Sequence, residues 1–176
     1  MKTKFFLLGA LFLLSLCCLS GCSDDESLDG PDSDVIWDIY PFGITITVSD
    51  AEGNDLLNPD AENSIAHQGI KMIYQGKTYK KDSLANEIPP SRAYLPRFYG
   101  LNSYKGNDGR YRLAIGEFFG DRDYEPQDIL LDWNDGTPRD TITFSHRFWW
   151  EDDEPRGEET FLLNGKEMGL PIPIVK

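Results

Sequence analysis

The chain has 176 residues, of which 30 are acidic and 17 are basic, and its formal net charge at pH 7 is −13. Nucleic-acid binding depends on Lys and Arg releasing counterions from phosphates, so this charge balance argues against a nucleic acid as partner. The same balance disfavours binding of the folded part to an anionic lipid surface.

The chain begins with the pattern of an export signal. Two lysines precede an apolar run from Phe5 to Leu19, and the tetrapeptide LSGC follows, ending at Cys22. This arrangement resembles the signal peptide and lipobox of bacterial lipoproteins. The resemblance implies that residues 1–21 are removed and that Cys22 carries the acyl chains that hold the mature protein on a membrane.

Two alternatives exist for this first segment. A membrane-spanning helix needs about 20 apolar residues, and the run here offers about 15. An ordinary secretory signal, cleaved at another small residue, would leave Cys22 as a free thiol. With Cys17 and Cys18 in the signal and Cys22 acylated, the mature chain has no cysteine for a disulfide, a thiol nucleophile or a zinc site.

Residues 22–34 are predicted to be a flexible tether. After the cysteine the sequence reads SDDESLDGPDSD, which is acidic and has no apolar periodicity. Its start, SDDE, resembles the acidic export signal of surface lipoproteins in Bacteroidetes-type bacteria. That resemblance implies an outer-membrane lipoprotein facing the medium, and a lipoprotein facing the periplasm is the alternative.

Residues 35–176 are expected to form one β-rich domain, since about 140 residues can bury one core. Apolar and polar residues alternate with a period of two from Ile44 to Val48 and from Ile142 to Trp150, which predicts two half-buried strands. Further predicted strands are Ile70–Gln75, Lys77–Lys81, Tyr94–Tyr99, Arg110–Phe118, Ile129–Trp133, Thr160–Leu163 and Ile172–Val175. Turn-forming pairs such as Gln75-Gly76 and Asn164-Gly165 separate several of them.

One short helix is predicted after Asn58. Asn58 can cap it, Pro59 suits its first position, and Gly69 would end it, with Ile65 packing beside the sheets. His67 would then lie near the end of this helix, where a cation suits the helix dipole.

Seven to nine short strands, hairpin turns and one short helix predict an all-β domain. An antiparallel β-sandwich is the expected architecture, and a partly open barrel is the alternative. The segments ITITVSDAEGNDLLNP and IKMIYQGKTYKKD look like segments common in Bacteroidetes-type lipoproteins. This likeness implies no activity.

Few residues suit catalysis. The two histidines, His67 and His146, lie in unrelated segments, which disfavours a histidine-based metal centre. His146 shares a strand face with Phe144 and Phe148 and is expected in the core or at a sheet edge. Ser145, beside it, points to the opposite face, so the two do not form a nucleophile and base.

The acidic residues allow two candidate sites. Two carboxylates in a cleft can hydrolyse glycosides, and Glu117 is the least surface-like acid, although a solvent-facing strand position also explains it. The sequence from Asp132 to Gly136 has oxygen ligands at alternate positions but not the spacing of an EF-hand, which favours a hairpin turn. A calcium site of another type would draw on Asp121, Asp123, Asp132 or Asp135 for its ligands.

The tryptophans are the candidate ligand contacts. Trp149 lies on the opposite strand face from Phe148 and Trp150, and four acidic residues follow. An exposed indole beside carboxylates can stack on a sugar ring while the carboxylates bind its hydroxyl groups. Trp149, Trp150 and Trp133 are therefore predicted ligand-binding residues, with coverage by a second sheet or a loop as the alternative.

The expected function is that of a surface lipoprotein without enzymatic activity, a binding or accessory module for an extracellular ligand such as a glycan, or for a partner protein of the outer membrane. One alternative is a small carboxylate-dependent polysaccharide hydrolase, which a raised carboxyl pKa in a cleft would favour. Another is an assembly subunit of a surface structure, which a long uncovered edge strand near a terminus would favour.

Overall fold

The computed structural model of the protein describes residues 38–88 and 95–176. The predicted signal peptide, Cys22 and the predicted tether lie outside these residues. The described strands are β1 (Phe42–Ser49), β2 (Lys71–Tyr74), β3 (Lys77–Lys80), β4 (Leu101–Lys105), β5 (Tyr111–Phe118), β6 (Tyr124–Asp132), β7 (Asp140–Glu151), β8 (Glu154–Leu163), β9 (Lys166–Met168) and β10 (Ile172–Val175). A 3-10 turn at Ala85–Glu87 is the one helical element of the described residues. Within those residues, no helix has the length and apolar character needed to cross a membrane.

The strands form two sheets. One has four strands in the order β10-β1-β5-β4, and the other has six in the order β3-β2-β6-β7-β8-β9. Neighbouring strands are antiparallel except for β1 and β10, which are parallel. The sheets do not close into a barrel, so the predicted all-β sandwich is confirmed.

The alternating residues face the space between the sheets. Ile44 and Ile46 of β1 and Ile142 and Phe144 of β7 are all 0% exposed and belong to one apolar cluster with residues of both sheets. Full burial of one such side chain stabilises the fold by about 1.5–3 kcal/mol. The period-two pattern therefore identified the inner face of each sheet correctly.

The predicted tight turns are confirmed. Gln75 and Gly76 have φ angles of 49° and 73°, and Asn164 and Gly165 have φ angles of 50° and 82°. Two consecutive positive φ angles match the right-handed twist of hairpin strands, which explains the two-residue connections β2–β3 and β8–β9.

Some strand boundaries differ from the prediction. β8 begins at Glu154, six residues before the predicted Thr160, because its polar first half pairs with the second half of β7. The predicted strand at Tyr94–Tyr99 is wrong for its described residues, and the strand β4 lies just after them. Gly100, with a φ of 76°, separates the two segments.

The predicted helix after Asn58 is wrong, because residues 58–69 form a series of turns. Asn58 Oδ1 accepts a hydrogen bond from Asp60 N at 3.1 Å, and Ser64 Oγ accepts one from Ala66 N at 3.2 Å. Such local side-chain bonds compete with helical hydrogen bonds. Ile65 is nevertheless buried, as predicted, whereas His67 is exposed in a turn and ends no helix.

Asp82 connects the two sheets beside the edge strands β3 and β4. Its main-chain N donates to Leu101 O at 2.8 Å, and its carboxylate accepts hydrogen bonds from the main-chain N and the Oγ of Ser103. Lys81 Nζ lies 2.6 Å from the same carboxylate. Burial raises the pKa of Asp82, but the hydrogen bonds from Lys81 and Ser103 lower it more, so the net shift is downward.

Candidate functional site

The β7–β8 hairpin is longer than the strand beside it. β8 pairs with β7 as far as Glu151, whereas β6 pairs with β7 only as far as His146, which lies opposite Tyr124. Residues 147–158 therefore form a two-stranded extension beyond the last pairing with β6. We call this extension the arm.

A tight turn closes the arm at its tip. Asp152 and Asp153 have φ angles of 51° and 61°, and Glu151 pairs with Glu154 across them. Asp tolerates positive φ better than most residues other than Gly and Asn, so two aspartates can form this turn without glycine. The sequence signal for this turn was weak, since the Asp-Asp pair lies within a longer acidic run.

Two contacts at the base hold the arm. An isolated two-stranded hairpin is marginally stable in water, so the arm needs such support. Asp123 Oδ1 accepts a hydrogen bond from Phe148 N at 2.7 Å, where the pairing with β6 has ended. His146 Nδ1 lies 2.8 Å from Arg122 O, and since a carbonyl only accepts, Nδ1 carries the proton and donates.

His146 itself is part of the core, as predicted. It is 4% exposed, and its ring stacks on that of Phe42 with centroids 4.7 Å apart. Its Nε2 lies 3.6 Å from Glu159 Oε1. On the facing strand, a Cβ added to Gly157 would lie 2.9 Å from His146 Nε2, so the imidazole occupies the space beside this glycine.

One face of the arm is apolar. Trp150 lies opposite Pro155, and Phe148 lies opposite Gly157. The rings of Phe148 and Trp150 meet edge to face, with centroids 5.8 Å apart. Trp150 is 43% exposed, although it continues the row of Ile142 and Phe144, which are 0% exposed. We call Phe148, Trp150 and Pro155 the apolar face of the arm.

The other face of the arm carries charged side chains, and these cover part of Trp149. The guanidinium carbon of Arg147 lies 5.4 Å from the centroid of the Trp149 ring, and Arg156 lies directly opposite Trp149. Arg156 in turn forms ion pairs with Glu151 at 3.5 Å and Glu154 at 2.7 Å. Trp149 is consequently half-buried by charged side chains of its own hairpin.

The prediction that Trp133 binds a ligand is wrong. Its side chain is 0% exposed, and its Nε1 donates a hydrogen bond to Asp140 Oδ2 at 2.7 Å. Lys176 Nζ lies over the ring, 4.7 Å from its centroid. Core packing and the bond to Asp140 satisfy this indole, so it offers no surface to a ligand.

The predicted calcium ligands do not form one site. Asp121 and Asp123 precede β6, whereas Asp132 ends it and Asp135 follows. The first two aspartates are therefore roughly 30 Å from the last two along the strand. The carboxylates of Asp121, Asp132 and Asp135 form ion pairs with Arg122, Arg139 and Lys176, respectively. No group of three or more metal-ligating side chains occurs in the part of the chain that the structure describes. The four aspartates therefore do not come together in one calcium site among the described residues.

Glu117 lies between two cavities. One, of about 800 Å³, is lined by residues that include Asp38, Glu117 and Asp121, and the other, of about 380 Å³, lies beside Asn102 and Glu117. Glu117 is half-buried rather than solvent-facing. Among the described residues, every carboxyl group whose pKa differs from its usual value has a lowered pKa, and none of these groups lines either cavity; they are Asp50, Asp82, Asp108, Asp132 and Asp135.

The chain matches no protein-family model, no curated protein and no solved structure in the comparisons made with them. Its function is therefore inferred from its own residues and their geometry.

Proposed function

We propose that this protein is a lipid-anchored surface module that binds an extracellular ligand through the arm, without catalysing a reaction on it. The observation that carries the proposal is the partial exposure of aromatic side chains on a hairpin that projects past the pairing with β6. Exposed tryptophans of this kind are enriched where proteins bind their partners.

The exposure of Trp150 supports a binding role because it is costly in water. Roughly 100 Å² of its surface is exposed, from its exposed fraction of 43% and a full aromatic area of at most about 250 Å². At about 25 cal/mol per Å², covering that surface would contribute about 2.5 kcal/mol to binding. The base contacts from Asp123 and His146 hold the arm in one position, which reduces the entropy lost on binding.

The proposed location on the outer membrane rests on the first 34 residues. The apolar run, the LSGC tetrapeptide and the acidic stretch after Cys22 support export, acylation and display on the outer face of the outer membrane. Two or three acyl chains are enough for stable anchoring, because each buried methylene contributes about 0.8 kcal/mol.

The binding role is tested with a double variant, Trp149→Ala/Trp150→Ala. Binding to a glycan array and pull-down of partners from native outer membranes are measured for the variant and the natural protein. The matched control is Tyr104→Ala, because Tyr104 is also 43% exposed but lies on β4 of the other sheet. We expect the double variant to lose binding and the control to retain it, and retention by both would refute the proposal.

Acylation and membrane attachment are tested with radiolabelled palmitate in the producing cell. We expect label in the natural protein, none in a Cys22→Ala variant, and loss of that variant from the membrane fraction. Protease treatment of intact cells then reports the facing of the domain, since a surface protein is cleaved and a periplasmic one is protected.

The edge strands give little support to an assembly subunit. The outermost strands β3, β4, β9 and β10 have only three to five residues each, and the longer edge is in the arm, where β9 pairs with β8 only from Phe161 onward. β10, nearest the C-terminus, also contains Pro173, which lacks the N–H that strand addition requires. Short edges and a proline are the features by which sheets avoid recruiting further strands.

A further inference from the structure

We infer that the apolar face of the arm is the ligand-binding face, with Trp150 as its main contact, and that the ligand is a neutral oligosaccharide. This inference rests on the proposed function of the arm and specifies which tryptophan acts and which chemical class it recognises.

The two neighbouring tryptophans cannot stack on the same sugar. Successive side chains of a strand point to opposite faces of the sheet, so Trp149 and Trp150 are separated by the backbone of β7. One of the two indoles must therefore be the main contact, and their surroundings distinguish them.

The surroundings favour Trp150. A ligand that stacks on Trp149 must displace the Arg147 guanidinium and compete with Arg156, which is held by Glu151 and Glu154. Trp150 is the more exposed of the two indoles, at 43%, and it lies opposite Pro155 with the Phe148 ring at 80° to its own. An exposed indole beside a perpendicular ring forms an apolar corner, which suits the C–H groups of a pyranose.

The size of the apolar face favours a sugar over a protein partner. A stable protein interface buries about 800 Å² on each side. The apolar face has three side chains, and its most exposed member, Trp150, offers roughly 100 Å². That area is about the footprint of one sugar ring.

The charges of the arm indicate that the sugar is neutral. The arm has five acidic residues and two basic ones, and the whole chain has a net charge of −13. A uronate or sulfated sugar would be repelled by this field, whereas sugar hydroxyls can donate to carboxylates. Glu159 lies on the same sheet face as Trp150, and its side chain is 38% exposed.

The position of Glu159 favours an oligosaccharide over a single sugar. On β8 it lies four residues beyond Pro155, about 13 Å along the strand. Gly157, between them, adds no side chain to this face. A ligand that contacts both Trp150 and Glu159 is therefore longer than one sugar ring.

The test is affinity electrophoresis of the full-length protein in gels that contain soluble mixed-linkage glucan, mannan, xylan or polygalacturonate. We expect retardation by at least one of the three neutral polysaccharides and none by anionic polygalacturonate. Trp150→Ala should weaken the binding about tenfold, which corresponds to about 1.4 kcal/mol, whereas Trp149→Ala should change it less than about twofold. Trp150→Phe, which keeps an aromatic ring, should restore most of the affinity, and Glu159→Gln should weaken binding of the polymer more than that of a monosaccharide.

Equal thermal melting curves for the variants confirm that they are folded. Loss of binding in Trp149→Ala with retention in Trp150→Ala would overturn the choice of face, while the arm would remain the binding element. Absence of binding to all three neutral polysaccharides, or binding to polygalacturonate alone, would overturn the ligand class. If the double variant still loses a membrane partner in that case, the proposed binding role of the arm stands.

Discussion

The two halves of β7 have the same alternating pattern but different surroundings. In the first half, Ile142 and Phe144 are 0% exposed and His146 is 4% exposed, because β6 and β8 flank the strand and the four-stranded sheet covers it. In the second half, only β8 continues, and Trp150 is 43% exposed. Alternation therefore determines which face a side chain takes, whereas the length of the neighbouring strands determines whether that face is covered.

The largest expected effect is the difference in the free energy of unfolding between a variant in the first half and a variant in the second half of β7. Phe144→Ala should lower the free energy of unfolding by about 3–5 kcal/mol, because it removes a fully buried ring. Trp150→Ala, on the same face of the same strand, should lower it by less than about 1 kcal/mol. Urea denaturation followed by circular dichroism measures both, and similar losses would show that the arm is as well packed as the core.

A smaller effect is expected where the halves meet. In Gly157→Ala the new methyl would lie 2.9 Å from Nε2 of His146, whose ring is held by Arg122 O and by Phe42. We expect a loss of about 1–3 kcal/mol from overpacking. Gly169→Ala is the control, because a Cβ there meets no atom within 4 Å. Unfolding of both alanine variants at the same urea concentration would contradict the predicted overpacking at Gly157.

A further variant tests whether the arm depends on the turn before β6. Asp123→Ala removes the acceptor for Phe148 N and should cost about 1 kcal/mol. Amide hydrogen exchange should accelerate at Phe148 but not at Phe144. Asp121→Ala, which removes only an exposed ion pair with Arg122, should leave both exchange rates unchanged. Acceleration at Phe144 as well would mean that the two halves open together.

The smallest effect concerns Asp82, which connects the two sheets at their edge strands β3 and β4, away from β7. Its folded-state pKa lies below the usual 3.8, so its contribution is complete above about pH 4 and is lost as the pH falls through the folded-state value. The side chain of Asp82 is 35% exposed, and solvent screening keeps the contribution below about 1 kcal/mol.

Asp82→Asn should therefore lower the urea midpoint at pH 7, and the difference from the natural protein should shrink towards pH 2.5. Glu62→Gln removes one charge from an exposed residue and controls for net charge. A difference that grows at low pH would contradict the direction of the shift in the pKa of Asp82.

Local sequence was sufficient for the sheet faces and for several turns. The alternation in β1 and β7 predicted the buried residues, and Gln75-Gly76 and Asn164-Gly165 predicted two hairpins. These features depend on residues that are neighbours in the chain, since side-chain direction alternates along a strand and positive φ angles favour Gly and Asn. The false helix after Asn58 shows the limit of this approach, because capping residues also form turns.

The sequence alone determined that alternating residues would form a sheet with one apolar face, because side-chain direction along a strand is a local property. Only the tertiary structure decided that Trp133 is buried, that Trp149 is half covered by arginines and that Trp150 is exposed. Burial depends on where distant strands end and on what packs above them, and these positions arise only when the whole chain has folded.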